Sequence, residues 1–252
     1  MNQTPTDTIY EDFQRAIRTR IPAERIVSDP LRTLAYGTDA SFYRLIPKVV
    51  IKAQTESEVI AVLKTAHRMR LPVTFRAAGT SLCGQAITDS ILLTAGHHWT
   101  TAEVLDNGRW IRLQPGVIGA QANRCLAPYG KKIGPDPASI NAAMIGGIAA
   151  NNASGMCCGT AQNSYQTVES MRIILGDGAI VDTGDPASCR AFAESHGHIL
   201  GDLSQLASAV RADKRLTDRI RRKFKMKNTT GYSLNALVEY EDPLEILVHL
   251  MI

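Results

Sequence analysis

The sequence predicts an α+β fold of two small layers, and two observations carry that expectation. Strands arrive after helices of crossover length in the first part of the chain, and hairpin signals of the Asn-Gly and Asp-Gly type stand later. A single doubly wound parallel sheet accounts for the first pattern but not the second. The 252 residues, 44% hydrophobic and 21% charged, supply enough apolar surface for a real core in a soluble globular protein.

The elements follow in order. Tyr10 to Ile21 and Pro30 to Tyr36 read as helices, and Val49 to Ile51 as a strand after Pro47. Thr55-Glu56-Ser57-Glu58 is a capping-box pattern, after which Val59, Ile60, Val62, Leu63, Ala66 and Met69 recur on one helical face. Pro72 and the strand Val73 to Phe75 lead into a glycine-bearing loop, Arg76 to Gln85. Asn107-Gly108 joins Thr101–Asp106 to Arg109–Leu113, and Asp177-Gly178 joins Met171–Leu175 to Ala179–Asp182, both as antiparallel pairs. Between the hairpins lie a helix from Ile118 to Tyr129 and a stretch, Gly134 to Gly159, dominated by Gly, Ala, Asn, Ser and Pro. The tail is helical, with a basic run at Arg219, Arg221, Arg222, Lys223, Lys225 and Lys227. A boundary at 97/98 separates 1–97 from 98–252, and no internal repeat or low-complexity tract is present.

Charge and cysteine usage exclude several classes. The net charge of +4 is too mild to imply nucleic acid by itself. Cys83, Cys125, Cys157, Cys158 and Cys189 form no C-x-x-C pair, and their odd number argues against a disulfide framework, so a reducing, cytoplasmic setting fits. Met1 to Glu11 lacks the basic start and apolar run of a secretory signal, and no run of about 18 apolar residues occurs. His97-His98 and His196-x-His198 have no partners at ligand spacing, so no metal site is expected and they read as strand-end and loop histidines. The basic run reads first as a solvated helix face and second as a surface for anionic polymer or membrane.

The common nucleotide and hydrolase signatures, G-x-G-x-x-G after a strand, G-x-x-x-x-G-K-[ST], H-E-x-x-H and G-x-S-x-G, are missing. Two small-residue segments remain. The loop Arg76-Ala77-Ala78-Gly79-Thr80-Ser81-Leu82-Cys83-Gly84-Gln85 follows a strand; its small side chains let backbone N–H groups approach an anion, and Thr80 and Ser81 add hydroxyl donors. Read singly, it is equally a strand-to-loop turn with ordinary glycine punctuation. The second segment, Gly134-Pro135-Asp136-Pro137-Ala138-Ser139 followed by Met144 to Gly155, is nearly free of bulk and suits a flat ligand, or else close helix-to-strand packing.

Together, and in order with Tyr36-Gly37-Thr38-Asp39 before Pro47, Gly176-Asp177-Gly178 with Val181-Asp182, and Asn228-Thr229-Thr230-Gly231-Tyr232, these segments carry a family likeness across nearly the whole chain. The sequence resembles the FAD-binding domain of the vanillyl-alcohol oxidase and para-cresol methylhydroxylase superfamily, in its branch of D-lactate dehydrogenases and glycolate oxidase subunits. The resemblance implies two small α/β subdomains, the first carrying the pyrophosphate loop, with FAD bound between them. It places Arg76, Ala77, Ala78, Gly79, Thr80, Ser81, Leu82, Gly84 and Gln85 around the pyrophosphate. Pro135, Asp136, Ser139, Gly146, Gly147, Ala150, Asn152, Ser154 and Gly155 would line the ribityl chain and flavin, with Ile180 or Val181 at the adenine end. Ala77 and Ala78 stand where the family usually has glycine. Relatives that tether FAD covalently do so through a histidine in this loop; residues 78–85 contain none, which implies non-covalent FAD.

The resemblance further implies oxidation of a D-2-hydroxy acid, D-lactate before any other, to a 2-oxo acid, with electrons passed to an iron–sulfur, quinone or cytochrome acceptor and peripheral association at the inner membrane face. Glycolate, 2-hydroxyglutarate or a sugar alcohol are the alternative substrates, and a non-enzymatic anion-binding module is the alternative class. The apolar finish at Ile252 lacks a cap, and relatives of this branch continue into a final flavin-contacting segment and a substrate domain. A fragment without its substrate domain is therefore expected, and no catalytic residue is assigned within the chain.

Overall fold

A computed structural model of the chain describes residues 5–229 and 231–252. Met1 to Thr4, from the stretch read for a targeting signal, and Thr230 of the Asn228–Tyr232 motif lie outside the described residues. Packing divides the chain into two units interleaved in sequence. The first comprises Met1–Lys132, Ser139–Gly147 and Leu175–Ala179, and the second Ile133–Ala138, Ile148–Ile174 and Ile180–Ile252. The hairpin at 102–113 thus belongs to the first unit, along a different line from the 97/98 boundary.

The first unit is built on a four-stranded sheet of β1 (Ile26–Val27), β2 (Val49–Lys52), β3 (Val73–Arg76) and β4 (Ile91–Thr94), in the order β1-β2-β4-β3. β2, β4 and β3 run parallel and β1 is antiparallel, so the sheet is mixed. The sequence reading missed β4. Its Ile91, Leu92 and Leu93 are all fully buried, and a strand covered on both faces shows no alternation to read. Val27, Val50 and Leu92 pack with Tyr36, which follows α2 (Pro30–Ala35), while α1 (Pro5–Ile17) packs against α3 (Glu56–Met69).

The α3 boundaries follow from their caps. Thr55 Oγ1 accepts from the Glu58 N–H at 3.3 Å, and Arg70 closes the helix in the left-handed region with φ 56°. The Glu58 carboxylate is put to a further use. It accepts from Arg25 at 2.6 and 2.7 Å and from the Gln54 N–H at 2.7 Å. Burial raises its pKa, but the Arg25 and Gln54 hydrogen bonds and the Arg25 charge outweigh that and leave it lowered. The first unit also holds the antiparallel hairpin of β5 (Ala102–Leu105) and β6 (Trp110–Leu113), and α4 (Gly119–Leu126).

The second unit holds the Asp177-Gly178 hairpin strands β7 (Arg172–Ile174) and β8 (Ile180–Asp182), antiparallel as the turn signal requires. The short α6 (Ser164–Thr167) lies before them, and a helical region follows: α7 (Pro186–Ala212), α8 (Lys214–Phe224), α9 (Ala236–Glu239) and α10 (Pro243–Leu250). Ala207, Val210, Ile220, Leu237 and Ile246 form its core. His196 and His198 lie inside α7 rather than in a loop; the His196 ring stacks on Phe192 with centroids 5.0 Å apart, and its Nδ1 lies 2.8 Å from Ser195 Oγ. Among the described residues no cluster of metal-ligating side chains occurs, and no helix is long and apolar enough to cross a membrane.

A buried polar group ties α6 to the tail. Tyr165, 3% exposed, donates to Glu239 Oε2 at 2.7 Å, and Asn235 Nδ2 donates to the same oxygen at 3.1 Å. Burial, and then the hydrogen bond to Glu239, push the Tyr165 hydroxyl well above the ordinary tyrosine range. The folded protein therefore holds this proton more tightly than the unfolded chain, so its stabilisation is full below the ordinary tyrosine value of 10.0 and is lost as pH rises above it. Tyr165→Phe is expected to cost about 1–2 kcal/mol near neutral pH and to make the alkaline loss shallower. Urea midpoints at neutral and alkaline pH check this; parallel curves for the variant and the native chain would refute it.

Candidate cofactor site

The Arg76–Gln85 loop leaves the C-terminal end of edge strand β3 and is held closed by its own first residue. Arg76 is 9% exposed, and its Nε and Nη2 both donate to the Ala86 carbonyl, at 2.8 and 2.5 Å. Burial pushes its pKa down, opposed by the nearby Asp39 and Tyr36. The guanidinium thus staples the two ends of the loop. Gly79 and Gly84 carry positive φ, 70° and 73°, as tight reversals require. A Cβ on Gly84 would come within 2.9 Å of the Tyr43 ring, so the loop also lies directly on the preceding segment.

Inside the loop the hydroxyls divide. Ser81 Oγ donates to Gln85 Oε1 at 2.7 Å and accepts from the Cys83 N–H at 3.2 Å, so it braces the loop. Among the described residues, the Thr80 hydroxyl and the backbone N–H groups of Ala78, Gly79 and Thr80 find no acceptor. The Gly79 carbonyl accepts from the Ala40 N–H at 3.0 Å. A run of unengaged donors on a pinned backbone is what an oxyanion uses. Leu82 is 72% exposed, and Gln85 is also exposed.

The small residues of the second segment have separable reasons. In the first unit, Gly146 is excluded from having a side chain by Pro115, whose Cβ would lie 2.8 Å from an added Cβ, and its N–H donates to the Pro115 carbonyl at 2.9 Å. Gly147, next along α5 (Ile145–Ala150), is different. An added Cβ would meet only the Ala77 Cβ, at 3.9 Å, so this exposed glycine leaves open space in front of the loop. The Ser139 carbonyl accepts from the N–H groups of Ala142 and Ala143 at 2.8 and 2.7 Å, shaping the turn before α5.

In the second unit, Asp136 organises a turn: its Oδ1 accepts from the N–H groups of Gly155 at 2.9 Å and Cys158 at 3.2 Å. Pro135 beside it is buried. Gly155 is required by packing, since a Cβ there would fall 2.0 Å from the Asp136 carbonyl oxygen. Asn152 takes φ 40°, and its Oδ1 accepts from the Tyr165 N–H at 3.2 Å. Ser154 is 5% exposed; its carbonyl accepts from Lys227 Nζ, while its hydroxyl and Asn151 Oδ1 are buried polar atoms without a hydrogen-bond partner. Such orphans mark a place where a polar ligand would fit. Ala150 is exposed, Ile180 is half-buried, and Val181 is fully buried opposite Ile173, so Val181 serves the core and Ile180 is the accessible member of that pair.

Ala77 and Gly147 are therefore brought together in one unit, and Asp136 with Gly155 in the other. Tyr43 and Arg44 were not picked out from the sequence, yet they line an open groove of about 340 Å³ with Leu45, Cys83, Gly84 and Ile87. Their signal was the Tyr36–Asp39 motif just upstream, which was noted without its neighbours.

Residues 47–184 match a family described as FAD binding domain. Over 180 residues the chain is 32% identical to the glycolate oxidase subunit GlcD of Escherichia coli (strain K12), covering 67% of this chain and 36% of that protein. It is 30% identical to the D-2-hydroxyglutarate dehydrogenase of Haemophilus influenzae, with 60% and 15% covered. It is 31% identical to the D-lactate dehydrogenase of Archaeoglobus fulgidus, with 69% and 39% covered. The chain thus spans well under half the length of these curated relatives. The solved structure of p-cresol methylhydroxylase with substrate bound shares the fold at a TM-score of 0.58 and 14% identity, with 73% of this chain and 37% of that one covered.

Proposed function

The chain belongs to the FAD-binding domain family and takes FAD as its cofactor, and on that premise we propose that it is the FAD-holding portion of a dehydrogenase oxidising a D-2-hydroxy acid. D-lactate is the substrate we name first, with D-2-hydroxyglutarate and the achiral 2-hydroxy acid glycolate as alternatives. The names of the relatives support the class, since glycolate, D-2-hydroxyglutarate and D-lactate each carry a hydroxyl beside a carboxylate. When bound, FAD supplies the two-electron acceptor for that CH–OH carbon, and the protein supplies placement and tuning. Electrons then leave to an iron–sulfur, quinone or cytochrome acceptor. A cytoplasmic setting, with peripheral contact at the inner membrane face, completes the reading; the five unpaired cysteines support it.

The observation that carries the proposal is the donor run at Ala78, Gly79 and Thr80 with open space at Gly147 facing Ala77. In this reading the Ala78–Thr80 N–H groups and the Thr80 hydroxyl bind the diphosphate, and Arg76, Ser81 and Gln85 hold the loop in shape. Within the same unit Gly147 leaves room for the rest of the cofactor in front of the loop, and Gly146 fixes the backbone beside it; in the second unit the Asp136–Gly155 turn holds the segment where Ser154 Oγ and Asn151 Oδ1 are buried without a hydrogen-bond partner. The functional halves are 1–97, with the pyrophosphate loop, and 98–252, which differ from the packing units. FAD is held non-covalently, since residues 78–85 offer no histidine.

Titration of the chain with FAD, followed by flavin fluorescence and visible absorption, tests the proposal. Saturable quenching that survives moderate salt is expected, with all flavin released on unfolding. A chain that binds no FAD, or binds polyanions with a steep salt dependence in its place, would overturn it.

A further inference from the structure

We infer that Arg44 supplies the counter-charge for the FAD diphosphate; this rests on the flavin-site reading above. The groove of about 340 Å³ beside the loop is lined by Tyr43, Arg44, Leu45, Cys83, Gly84 and Ile87. Two of these, Cys83 and Gly84, belong to the same loop that carries the Ala78–Thr80 donors. Arg44 is the charged residue among the six. It is exposed and, among the described residues, makes no ion pair or side-chain hydrogen bond.

A diphosphate carries about two negative charges, and the donors that the loop offers are neutral N–H and O–H groups. The loop has one cation, Arg76, and its Nε and Nη2 are committed to the Ala86 carbonyl. A buried guanidinium engaged in this way cannot also turn outward to clamp a phosphate. Arg44 answers that shortage. Its planar fork suits two phosphate oxygens at once, and it sits on a fixed root. Asp39 Oδ1 accepts from the Ser41 N–H at 2.8 Å, Ser41 Oγ from the Tyr43 N–H at 3.2 Å, and the Gly37 carbonyl from the Leu45 N–H at 3.1 Å. The Ala40 N–H to Gly79 carbonyl bond, at 3.0 Å, ties this root to the loop. A long side chain whose backbone is pinned loses mainly its own rotamer freedom on binding.

The test titrates FAD and riboflavin, which lacks the phosphates, into the native chain and into Arg44→Ala, Arg44→Lys and Arg44→Glu. Because Arg44 is exposed, thermal midpoints of the variants are expected to match the native chain. Arg44→Ala should weaken FAD binding roughly tenfold, as loss of one charge-assisted contact does, with Arg44→Glu weaker still and Arg44→Lys partly restored. Riboflavin binding should be equal in all four, and the salt dependence of FAD binding should be shallower in Arg44→Ala than in the native chain. Unchanged FAD affinity in Arg44→Ala, or an equal fall for riboflavin, would overturn the role of Arg44 while leaving the flavin site standing. A native chain that binds no FAD removes both.

Discussion

Gly155→Ala is expected to lower the stability of the chain by about 3 kcal/mol or more. An added Cβ would stand 2.0 Å from the Asp136 carbonyl oxygen and 2.7 Å from its Oδ1. Both atoms belong to the turn that residue 155 itself helps to hold, because the Gly155 N–H donates to Asp136 Oδ1 at 2.9 Å. The clash therefore cannot be relieved by swinging a flexible side chain away. The backbone must move, and the Cys158 N–H bond to the same oxygen, at 3.2 Å, moves with it. For a chain of this size, a loss of that order lowers the melting temperature by roughly 6–12 °C. Gly201→Ala supplies the opposite sign. Gly201 lies inside helix α7 with nothing within 4 Å of an added Cβ, so alanine there should stabilise by roughly 0.5–1 kcal/mol. Equal melting temperatures for the two variants would show that the Gly155 turn is not built as described.

That contrast also marks where the sequence was legible. Local rules with short reach read well: the Thr55 cap and apolar face of α3, and the turn residues that set both hairpins in antiparallel register. The tail was legible as helical but without the bounds of α7, and His196 and His198 read as loop residues, because Gly197, Gly201 and paired histidines inside a 27-residue element look like punctuation. Tertiary context decided the rest. A glycine that avoids a backbone oxygen, like Gly155, and one that leaves an open space, like Gly147, are the same letter. Likewise Arg76 reads as a cation offered to an anion, and only the fold shows its donors turned on Ala86. The small-residue segments could therefore be located in sequence, but what each of their residues does for the fold could not.

Gly147→Trp puts the cofactor reading to its strongest test, and is expected to weaken FAD binding at least about a hundredfold, a loss of roughly 2.7 kcal/mol, with the fold intact. Gly147 is exposed on the six-residue helix α5, and its backbone is not in the left-handed region, so a large side chain meets neither core nor strain. The one neighbour of an added Cβ is the Ala77 Cβ, at 3.9 Å, on the loop that carries the unengaged N–H donors. An indole there fills the space in front of the loop, while leaving the Arg76 staple and the Asp136 turn untouched. Gly147→Ala, which adds one methyl at ordinary contact distance, should bind FAD within a few-fold of the native chain. The graded pair separates blockage from unfolding: blockage gives a native melting temperature with FAD affinity falling from alanine to tryptophan. Native FAD affinity in the tryptophan variant would place the cofactor away from Gly147, and with it remove the reason to read the open face before Ala77 as the flavin's bed.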